Sequence, residues 1–232
     1  MRLFIDTGSV GEVEEIAGWG ILAGATTNPS LLAKEDGDPG EIIRRICALV
    51  GGPVSAEVVS QDPEGMIAEG RALRELDEHV SVKIPFCKEG LAAAHALTAD
   101  GIPVNMTLVF SANQALLAAG AGATYVSCFM GRLDDISVDS GQVLAEIVEC
   151  FRAGGVTSQV IAASVRHPEH VITAAQLGCE IATVPAKVLR QMLDHPLTTA
   201  GAERFRKDWE SRPEFGDWLR GLVSQRAAAS HR

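Results

Sequence analysis

Lys83 is the residue whose type and setting most suggest chemistry. It lies near the end of a β-branched stretch at residues 79–85, between Val82 and Ile84. An ammonium group strongly prefers water, so a lysine in such a stretch either is exposed at a sheet edge or is buried for a reaction. Burial disfavours the charged form of an amine, and a free amine condenses with a carbonyl group. Two interpretations follow: an edge lysine, or a nucleophile that forms a Schiff base.

Carboxylates, guanidinium groups and a hydroxyl that could assist a Schiff base lie near the ends of other apolar stretches. Breaking or making the carbon–carbon bond beside an iminium needs an acid/base group and a water molecule, and Asp6 and Glu57 are the carboxylates available. Arg132 and Arg166 could hold a phosphate group, with the Ser164 hydroxyl as a further donor. Together these residues predict a Schiff-base enzyme that acts on phosphosugars.

The charged residues also have ordinary structural interpretations. Glu57 could be the partner of an arginine inside the fold. Arg132 and Arg166 could simply pair with carboxylates nearby in the sequence, such as Asp134 or Glu169. Residue types alone leave these alternatives open, because perturbed ionisable groups occur in structural ion pairs as well as in active sites.

Eight short apolar stretches alternate with helical patterns and must position these residues. The predicted strands are residues 2–6, 25–28, 54–58, 80–84, 104–109, 125–129, 159–163 and 181–184. Helix-start signals predict helices at residues 63–76, 111–119, 139–153, 168–177 and 185–194. Eight strand–helix units in a chain of 232 residues favour a closed (β/α)8 TIM barrel over an open doubly wound sheet.

The alternation within each strand predicts which side chains point into the barrel. Val82 and Ile84 belong to an apolar row that should face the helices, which leaves Lys83 inside. The active sites of such barrels lie at the carboxyl ends of the strands. The same parity places further side chains inside, near those ends: Asp6, Glu57, Asn105, Thr107, Ser127, Phe129 and Ser164.

Two predictions of parity can be checked directly. In the seventh strand, Ala162 and Ser164 should face inward, whereas Ile161 and Ala163 should face the helices. In the sixth strand, Cys128 should face outward, where it affects only packing. Both predictions follow from the period of two along a strand.

The chain is predicted to be a single domain, residues 1–232, with a C-terminal helical tail from about residue 197. Within the tail, helices are predicted at residues 202–210 and 215–223, with Trp209, Phe215 and Trp218 as apolar side chains for packing. Residues 227–232 offer little to bury and predict a disordered end.

Composition and charge exclude several classes of partner. The net charge is −10, the pI is about 5.1 and 47% of residues are hydrophobic, which argues against nucleic acid or an anionic membrane as a partner. The first residues show no signal peptide and no stretch is long enough to span a membrane, so we expect a cytoplasmic protein. His167 and His170 have no third ligand in the sequence pattern, so no metal site is predicted.

Seven motifs in order resemble the transaldolase family, in its short subfamily that also contains fructose-6-phosphate aldolases. The resemblance runs from about residue 2 to residue 210. It is specific because all seven motifs lie at or near predicted strands. The motifs are DT at 6–7, TTNPS at 26–30, VKIP at 82–85, NMTLVF at 105–110, GATYVS at 122–127, FMGRLDD at 129–135 and AASVR at 162–166.

The resemblance implies a role for each candidate residue. It implies that Lys83 forms the Schiff base, that Asp6 is the general acid/base, and that Glu57 with Thr107 activates a water molecule. The substrate-binding residues that it implies are Thr27, Asn28, Asn105, Ser127, Phe129, Arg132, Ser164 and Arg166. Of these, it implies that Arg132, Ser164 and Arg166 bind the phosphate group. It also implies no cofactor, a role in the pentose phosphate pathway, and a ring-based homo-oligomer, of which a decamer is one form.

Two positions separate the activities within the resembled family. Transaldolases carry glutamate and phenylalanine where the aldolases carry glutamine and tyrosine, and this chain has Glu57 and Phe129. A phenyl ring cannot donate a proton to the intermediate, so transfer to a second sugar is favoured over release of dihydroxyacetone. The aldolase is the second hypothesis. A non-catalytic barrel that binds a sugar phosphate is the alternative from another class.

Overall fold

Eight parallel strands form a closed barrel in the structure, a computed structural model that describes residues 1–229. Each strand pairs with the next along the chain, and the eighth pairs with the first. The strands are β1 (Arg2–Asp6), β2 (Leu22–Thr26), β3 (Val54–Glu57), β4 (Val80–Pro85), β5 (Val104–Val109), β6 (Tyr125–Phe129), β7 (Gln159–Ala163) and β8 (Ile181–Val184). The predicted (β/α)8 barrel with C-terminal helices is confirmed.

Helices connect the strands, and their apolar faces pack on the outside of the barrel. Several of them begin at a side chain that accepts a backbone N–H of the first turn, such as Asp38, Asp62, Ser111 and Asp139. The helices up to the end of β8 are α1 (Val10–Ala17), α2 (Pro29–Leu32), α3 (Pro39–Val50), α4 (Pro63–Arg74), α5 (Lys88–Ala99), α6 (Ala112–Gly120), α7 (Met130–Asp134), α8 (Ser140–Gly154) and α9 (Pro168–Gln176). Helix α10 (Ala186–Leu193) follows β8.

The second strand lies earlier in the chain than predicted. The prediction placed it at residues 25–28, whereas β2 ends at Thr26. Asn28 is not a strand residue, because its side chain accepts the backbone N–H of Leu31 at 2.9 Å and caps α2. The first half of β2 is Leu-Ala-Gly, which has little β-branched character and therefore gives a weak strand signal.

A small apolar cluster fills the barrel interior, separate from the large core between strands and helices. Its buried members are Phe4, Tyr125, Ile161, Ala163 and Ile181. Phe4 needs a glycine opposite it, because a Cβ atom at Gly24 would lie 2.4 Å from the aromatic ring. The cluster is a packed layer of side chains, as is usual for barrels of this type.

The parity prediction for β7 is wrong. Ile161 and Ala163 point into the barrel, whereas Ala162 belongs to the outer core. The strand is apolar on both faces, so its sequence carries no alternation from which to read the parity. Ser164 nevertheless reaches the interior, because its φ of 54° is left-handed and interrupts the alternation after the strand ends.

The chain divides into two compact units, residues 1–191 and residues 192–232. The second contains α11 (Pro196–Glu210) and α12 (Pro213–Ala229), both longer than predicted. Within it, the ring of Trp209 lies 5.3 Å from Phe215 and 6.4 Å from Trp218. These aromatic side chains pack α11 against α12.

Two features expected of the chain as a whole stay predictions. The single domain with a helical tail is one of them. The other is the disordered end at residues 227–232: α12 continues to Ala229, and residues 230–232 lie outside those described. Among the described residues, no helix is long and apolar enough to cross a membrane.

Candidate active site

Lys83 points into the barrel near the carboxyl end of β4, and only 6% of its side chain is exposed. Its Nζ atom donates a hydrogen bond to the backbone oxygen of Thr27 at 2.9 Å and lies 3.0 Å from the Glu57 carboxylate. Glu57 is therefore paired with this lysine, not with an arginine. The two groups form a largely buried ion pair, because only 12% of the Glu57 side chain is exposed.

Lys83 lies between two cavities, and the smaller one, which we call the Asp6 cavity, has a volume of about 150 Å³. Asp6 accepts a hydrogen bond from the Thr26 hydroxyl at 2.7 Å, and the Thr26 oxygen lies 2.5 Å from the Thr183 hydroxyl. Thr26 has one hydroxyl proton and gives it to Asp6, so Thr183 must donate to Thr26. The lining residues are Asp6, Thr26, Asn28, Lys83, Ser127, Phe129, Arg132, Ala163, Ser164 and Thr183.

The environment of Asp6 raises the pKa of its carboxyl group above the usual 3.8. Loss of solvation on burial is the largest cause, and the nearby carboxylate of Glu57 acts in the same direction. The charge of Lys83 and the hydrogen bond from Thr26 oppose the shift. Asp6 is therefore a carboxyl group that can hold or release a proton nearer to neutral pH than an exposed aspartate can.

The larger cavity, which we call the Glu57 cavity, has a volume of about 380 Å³. Its wall contains the Thr107 hydroxyl, which among the described residues is the one buried side-chain oxygen or nitrogen without a hydrogen-bond partner in the protein. Such a group is costly to bury and calls for a functional explanation. The lining residues are Asn28, Pro29, Ser30, Leu31, Glu57, Lys83, Thr107, Leu108, Phe129 and Arg132.

Three polar residues expected to bind substrate make hydrogen bonds within the protein. Asn105 is fully buried; its amide donates to the Ser55 hydroxyl at 3.0 Å and its oxygen accepts from Ser127 at 2.8 Å. The Thr27 hydroxyl donates to the backbone oxygen of Ser55 at 2.8 Å. Of these residues, Ser127 lines the Asp6 cavity, whereas Asn105 and Thr27 lie behind the cavity walls.

The structure separates the expected phosphate-binding residues. Arg132 lines both cavities and Ser164 lines the Asp6 cavity. The Arg166 side chain lines neither cavity; it pairs with Asp135 at 2.6 Å, with about half of each side chain exposed. Its sequence neighbour Glu169 is thus not the partner. Gly131 packs against this segment, because an added Cβ would lie 2.3 Å from the Ser164 oxygen.

Phe129 and Cys128 point to opposite sides of β6, as the alternation predicted. Phe129 lines both cavities and makes an edge-on contact with Phe110, with the ring centres 5.9 Å apart. Cys128 is completely buried in the outer core, and this burial raises the pKa of its thiol to about 12. Cys128 therefore affects packing and is chemically inert.

Sequence reasoning missed Thr26, whose hydroxyl donates to Asp6, and Thr183, whose hydroxyl contacts that of Thr26. A threonine in a strand is common, so neither residue stands out by type. Thr183 could have been found by parity, because it shares the inward face of β8 with Ile181. Among the described residues, no three His, Cys, Asp or Glu side chains are arranged to hold a metal ion.

The fold and the arrangement around Lys83 define a (β/α)8 barrel of the enzymatic type, with its polar side chains gathered at the carboxyl ends of the strands. The family model described as Transaldolase/Fructose-6-phosphate aldolase matches residues 3–217. The chain belongs to this family, and it is an enzyme of the transaldolase class.

Curated relatives agree with the family model over nearly their whole length. A probable transaldolase of Moorella thermoacetica is 58% identical over 210 residues, covering 90% of this chain and 98% of the relative. One from Heliobacterium modesticaldum is 54% identical, covering 91% and 98%. One from Thermus thermophilus is 54% identical, covering 90% and 98%.

The similarity to one solved structure, at low sequence identity, supports the fold only. It is a cube-shaped, highly porous protein cage designed by fusing symmetric oligomeric domains, with a TM-score of 0.59 and 15% identity. The match covers 100% of this chain and 85% of the cage chain.

Proposed function

We propose that the protein is a transaldolase that transfers a dihydroxyacetone unit from a ketose phosphate to an aldose phosphate through a Schiff base on Lys83. The donor is fructose 6-phosphate or sedoheptulose 7-phosphate, and the acceptor is erythrose 4-phosphate or glyceraldehyde 3-phosphate. One observation carries the proposal: a buried lysine lies between two carboxylates that occupy different environments, one in each adjoining cavity.

Schiff-base formation starts from the pair of Lys83 and Glu57. The ammonium gives a proton to the carboxylate 3.0 Å away, and the free amine attacks the ketone carbon of the donor. Glu57 then returns the proton to the hydroxyl of the adduct, which leaves as water. The product is an iminium that draws electrons from the adjacent carbon–carbon bond.

Asp6 carries out the proton transfers at the bond that breaks. Its carboxylate accepts the proton of the hydroxyl on carbon 4, the bond between carbons 3 and 4 breaks, and its electron pair forms an enamine on Lys83. The first aldose leaves. When the acceptor aldose enters, the enamine carbon attacks its carbonyl and Asp6 returns the proton to the new hydroxyl. The raised pKa of Asp6 suits both directions of transfer.

The Glu57 cavity accounts for the water that releases the product. Its unpartnered Thr107 hydroxyl can bind a water molecule beside the carboxylate of Glu57. Glu57 accepts a proton from this water as the oxygen attacks the iminium carbon, and the amine of Lys83 is regenerated. The two cavities thus separate carbon–carbon chemistry from hydrolysis.

Arg132 and Ser164 supply donors for the substrate phosphate at the cavity wall. Arg166 joins them when its guanidinium exchanges the carboxylate of Asp135 for the phosphate. This exchange costs little free energy, because the ion pair of Arg166 and Asp135 is half exposed to water. A local group of arginines allows an anionic substrate to bind to a chain whose net charge is −10.

The aldolase is the second candidate, because the matching family model includes both activities. Phe129 favours transfer: its ring lines both cavities and has no proton to donate to the enamine. The pairing of a buried amine with carboxylates favours either enzyme over a barrel that only binds sugar phosphates, since binding alone needs no such group.

Borohydride reduction in the presence of fructose 6-phosphate tests the proposal. We expect peptide mass mapping to find the reduced adduct on Lys83, and to find none in Lys83→Arg, which keeps the charge but cannot form an imine. Lys88→Arg, at an exposed residue of α5, is the matched control and should label normally. An adduct on another lysine, or none at all, would refute the Schiff base on Lys83.

Dependence on the acceptor separates the two enzyme activities. A transaldolase consumes fructose 6-phosphate at a substantial rate only when erythrose 4-phosphate is present. Rapid release of free dihydroxyacetone without an acceptor would establish the aldolase instead.

We also propose a cytoplasmic homo-oligomer, in which the second unit of each chain contacts a neighbouring subunit. Apolar side chains in that unit support the proposal, because Phe205 is 67% exposed and Trp218 is 60% exposed. Light scattering coupled to size exclusion checks it: the intact protein should be a multimer, and a mass of one chain would refute the oligomer.

A further inference from the structure

A buried histidine, His170, pairs with an exposed aspartate, Asp134. His170 lies in the first half of α9, and only 8% of its side chain is exposed. Its Nε2 atom lies 2.7 Å from the Asp134 carboxylate, and its Nδ1 atom accepts the backbone N–H of Arg166 at 3.3 Å. Because Nδ1 accepts, the proton of the neutral ring is on Nε2 and is donated to Asp134.

This pair connects the two segments that carry the proposed phosphate-binding groups. Asp134 ends α7, the short helix that contains Arg132, and it also accepts the backbone N–H of Ser140 at 3.3 Å. Arg166 lies in the segment between β7 and α9, after Ser164. His170 therefore bridges α7 and this segment through two hydrogen bonds.

The segment after β7 needs such support. Ser164 is left-handed, a conformation that surrounding contacts must maintain in a residue other than glycine. Two hydrogen bonds hold the backbone on either side of Val165: Gly131 donates to the Ser164 oxygen at 3.1 Å, and Arg166 donates to His170. The Arg166 side chain is half exposed, so its own ion pair adds little.

We propose that His170 is a positioning residue for the phosphate end of the substrate. Its ring fixes the backbone at Arg166, so that Ser164 and Arg166 meet the phosphate beside Arg132. This inference rests on the proposed function and extends it, since His170 lines neither cavity and does not touch the reacting atoms.

The neutral form of His170 is the one that positions Arg166. Burial, the neighbouring His167 ring and the charge of Arg166 lower the pKa of His170, while Asp134 on α7 opposes the shift. The His167 and His170 rings lie 3.9 Å apart. Protonation would put a second donor on Nδ1, facing the N–H of Arg166, and would break the bond between them.

Two substitutions of His170 distinguish the two hydrogen bonds that its ring makes. In His170→Asn the side-chain oxygen corresponds to Nδ1 and can still accept from Arg166. In His170→Gln the amide nitrogen corresponds to Nε2, so the bond to Asp134 is kept and the bond to Arg166 is lost. His95→Gln, at an exposed histidine of α5, is the control.

The decisive measurement compares erythrose 4-phosphate with erythrose as acceptors, because the two differ only in the phosphate. With fructose 6-phosphate as donor, we expect His170→Gln to lower the ratio of their kcat/KM values about tenfold, through KM for the phosphorylated acceptor. His170→Asn should stay near the wild-type ratio, and His95→Gln should not change it. Equal losses for both acceptors, or an unchanged ratio in His170→Gln, would overturn the proposal.

A binding measurement keeps the inference separate from the proposed function. Calorimetric binding of inorganic phosphate should weaken in His170→Gln and be retained in His170→Asn, even if the protein transfers no sugar. If the wild-type protein fails to transfer but shows this pattern, the proposed function fails and the positioning role stands. Equal phosphate affinity in wild type and a folded His170→Gln would overturn the positioning role.

If neither His170 variant folds, sulfate binding to the wild-type protein tests the positioning role. Sulfate resembles phosphate but keeps its charge between pH 8 and pH 5, so its affinity reports on the protein alone. We expect sulfate to bind more weakly over the pH range in which NMR shows the His170 ring gaining a proton, although added positive charge would by itself strengthen binding. Unchanged or tighter binding across that protonation would overturn the proposal.

Discussion

The two cavities beside Lys83 differ in how far their polar groups are already satisfied. In the Asp6 cavity, the carboxylate is bound by Thr26, and Thr26 is bound by Thr183. In the Glu57 cavity, which is more than twice as large, the buried hydroxyl of Thr107 has no hydrogen-bond partner among residues 1–229. The smaller cavity thus holds its functional group in a fixed position, and the larger one presents a hydroxyl that a small polar molecule can bind.

The difference supports the proposal that Lys83 serves two reactions. A group that transfers a proton at a fixed carbon atom benefits from a rigid position. A site that admits and activates water needs an unsatisfied hydrogen-bonding group, even at a cost in stability. We therefore expect substitutions in the two cavities to affect different steps of the reaction.

The largest expected effect is in the Asp6 cavity. Asp6→Asn removes the acid/base group, so we expect carbon–carbon cleavage to slow by about 10²–10⁴-fold. The borohydride adduct on Lys83 should still form, since imine formation depends on the other cavity. Measuring both quantities in one preparation checks this, with Asp36→Asn at an exposed residue as control. Loss of the adduct together with cleavage would remove the distinction between the cavities.

A smaller effect is expected in the Glu57 cavity. Thr107→Val should slow imine hydrolysis about tenfold, the size of one lost hydrogen bond, and should leave the protein as stable as before or slightly more so. The stability is kept because no partner in the protein is lost. Single-turnover kinetics and thermal unfolding measure the two effects. Thr107→Ser retains the hydroxyl and should behave like wild type in hydrolysis; a variant that slows cleavage instead would contradict the assignment.

Phe129 lies in the wall that both cavities share. A proton donor placed there should make transfer to an acceptor less favoured over release of dihydroxyacetone. We expect Phe129→Tyr to raise the release of free dihydroxyacetone relative to transfer by several-fold, because the phenol can donate to the enamine. Product analysis with and without erythrose 4-phosphate measures the ratio. Phe110→Tyr, at the ring that contacts Phe129, is a control for the added hydroxyl itself. An unchanged ratio would refute this account of the position.

The smallest effect concerns stability and pH. Folding raises the pKa of Asp6, so the folded state binds its proton more tightly than the unfolded state does. This contribution is fully present below pH 3.8 and is lost as the pH rises through the raised pKa. Asp6→Asn should therefore unfold at a temperature a few degrees higher than wild type at pH 7, with the difference shrinking toward pH 3.8. A variant less stable at pH 7 would show that Lys83 stabilises the carboxylate more than burial penalises it.

The barrel and the inward direction of Lys83 were predictable because both depend on local patterns. Seven of the eight strands have strong apolar or β-branched signals, and in β4 the polar and apolar rows separate cleanly. The weak strand was β2, whose small residues carry little strand preference. In β7 the apolar residues on both faces hid the parity, so Ile161 was placed on the wrong side.

The hydrogen bonds of the site were not predictable from local patterns. Thr26 and Thr183 meet across 157 positions in the chain, and only closure of the barrel brings them together. The choice of Asp135 as the partner of Arg166 likewise depends on how α7 lies against the segment after β7. Side chains far apart in sequence meet through tertiary packing, which residue type and spacing do not encode.

The layer around Phe4 has a consequence for the order of events in catalysis. Its packed side chains fill the barrel interior, so we expect solvent and sugars to enter from the carboxyl ends of the strands. A bound aldose would therefore block the entry of water until the aldose dissociates. In the proposed reaction, competition for this entrance would favour the aldose acceptor over hydrolysis at high sugar concentration, and Phe4 would contribute to that preference through packing alone.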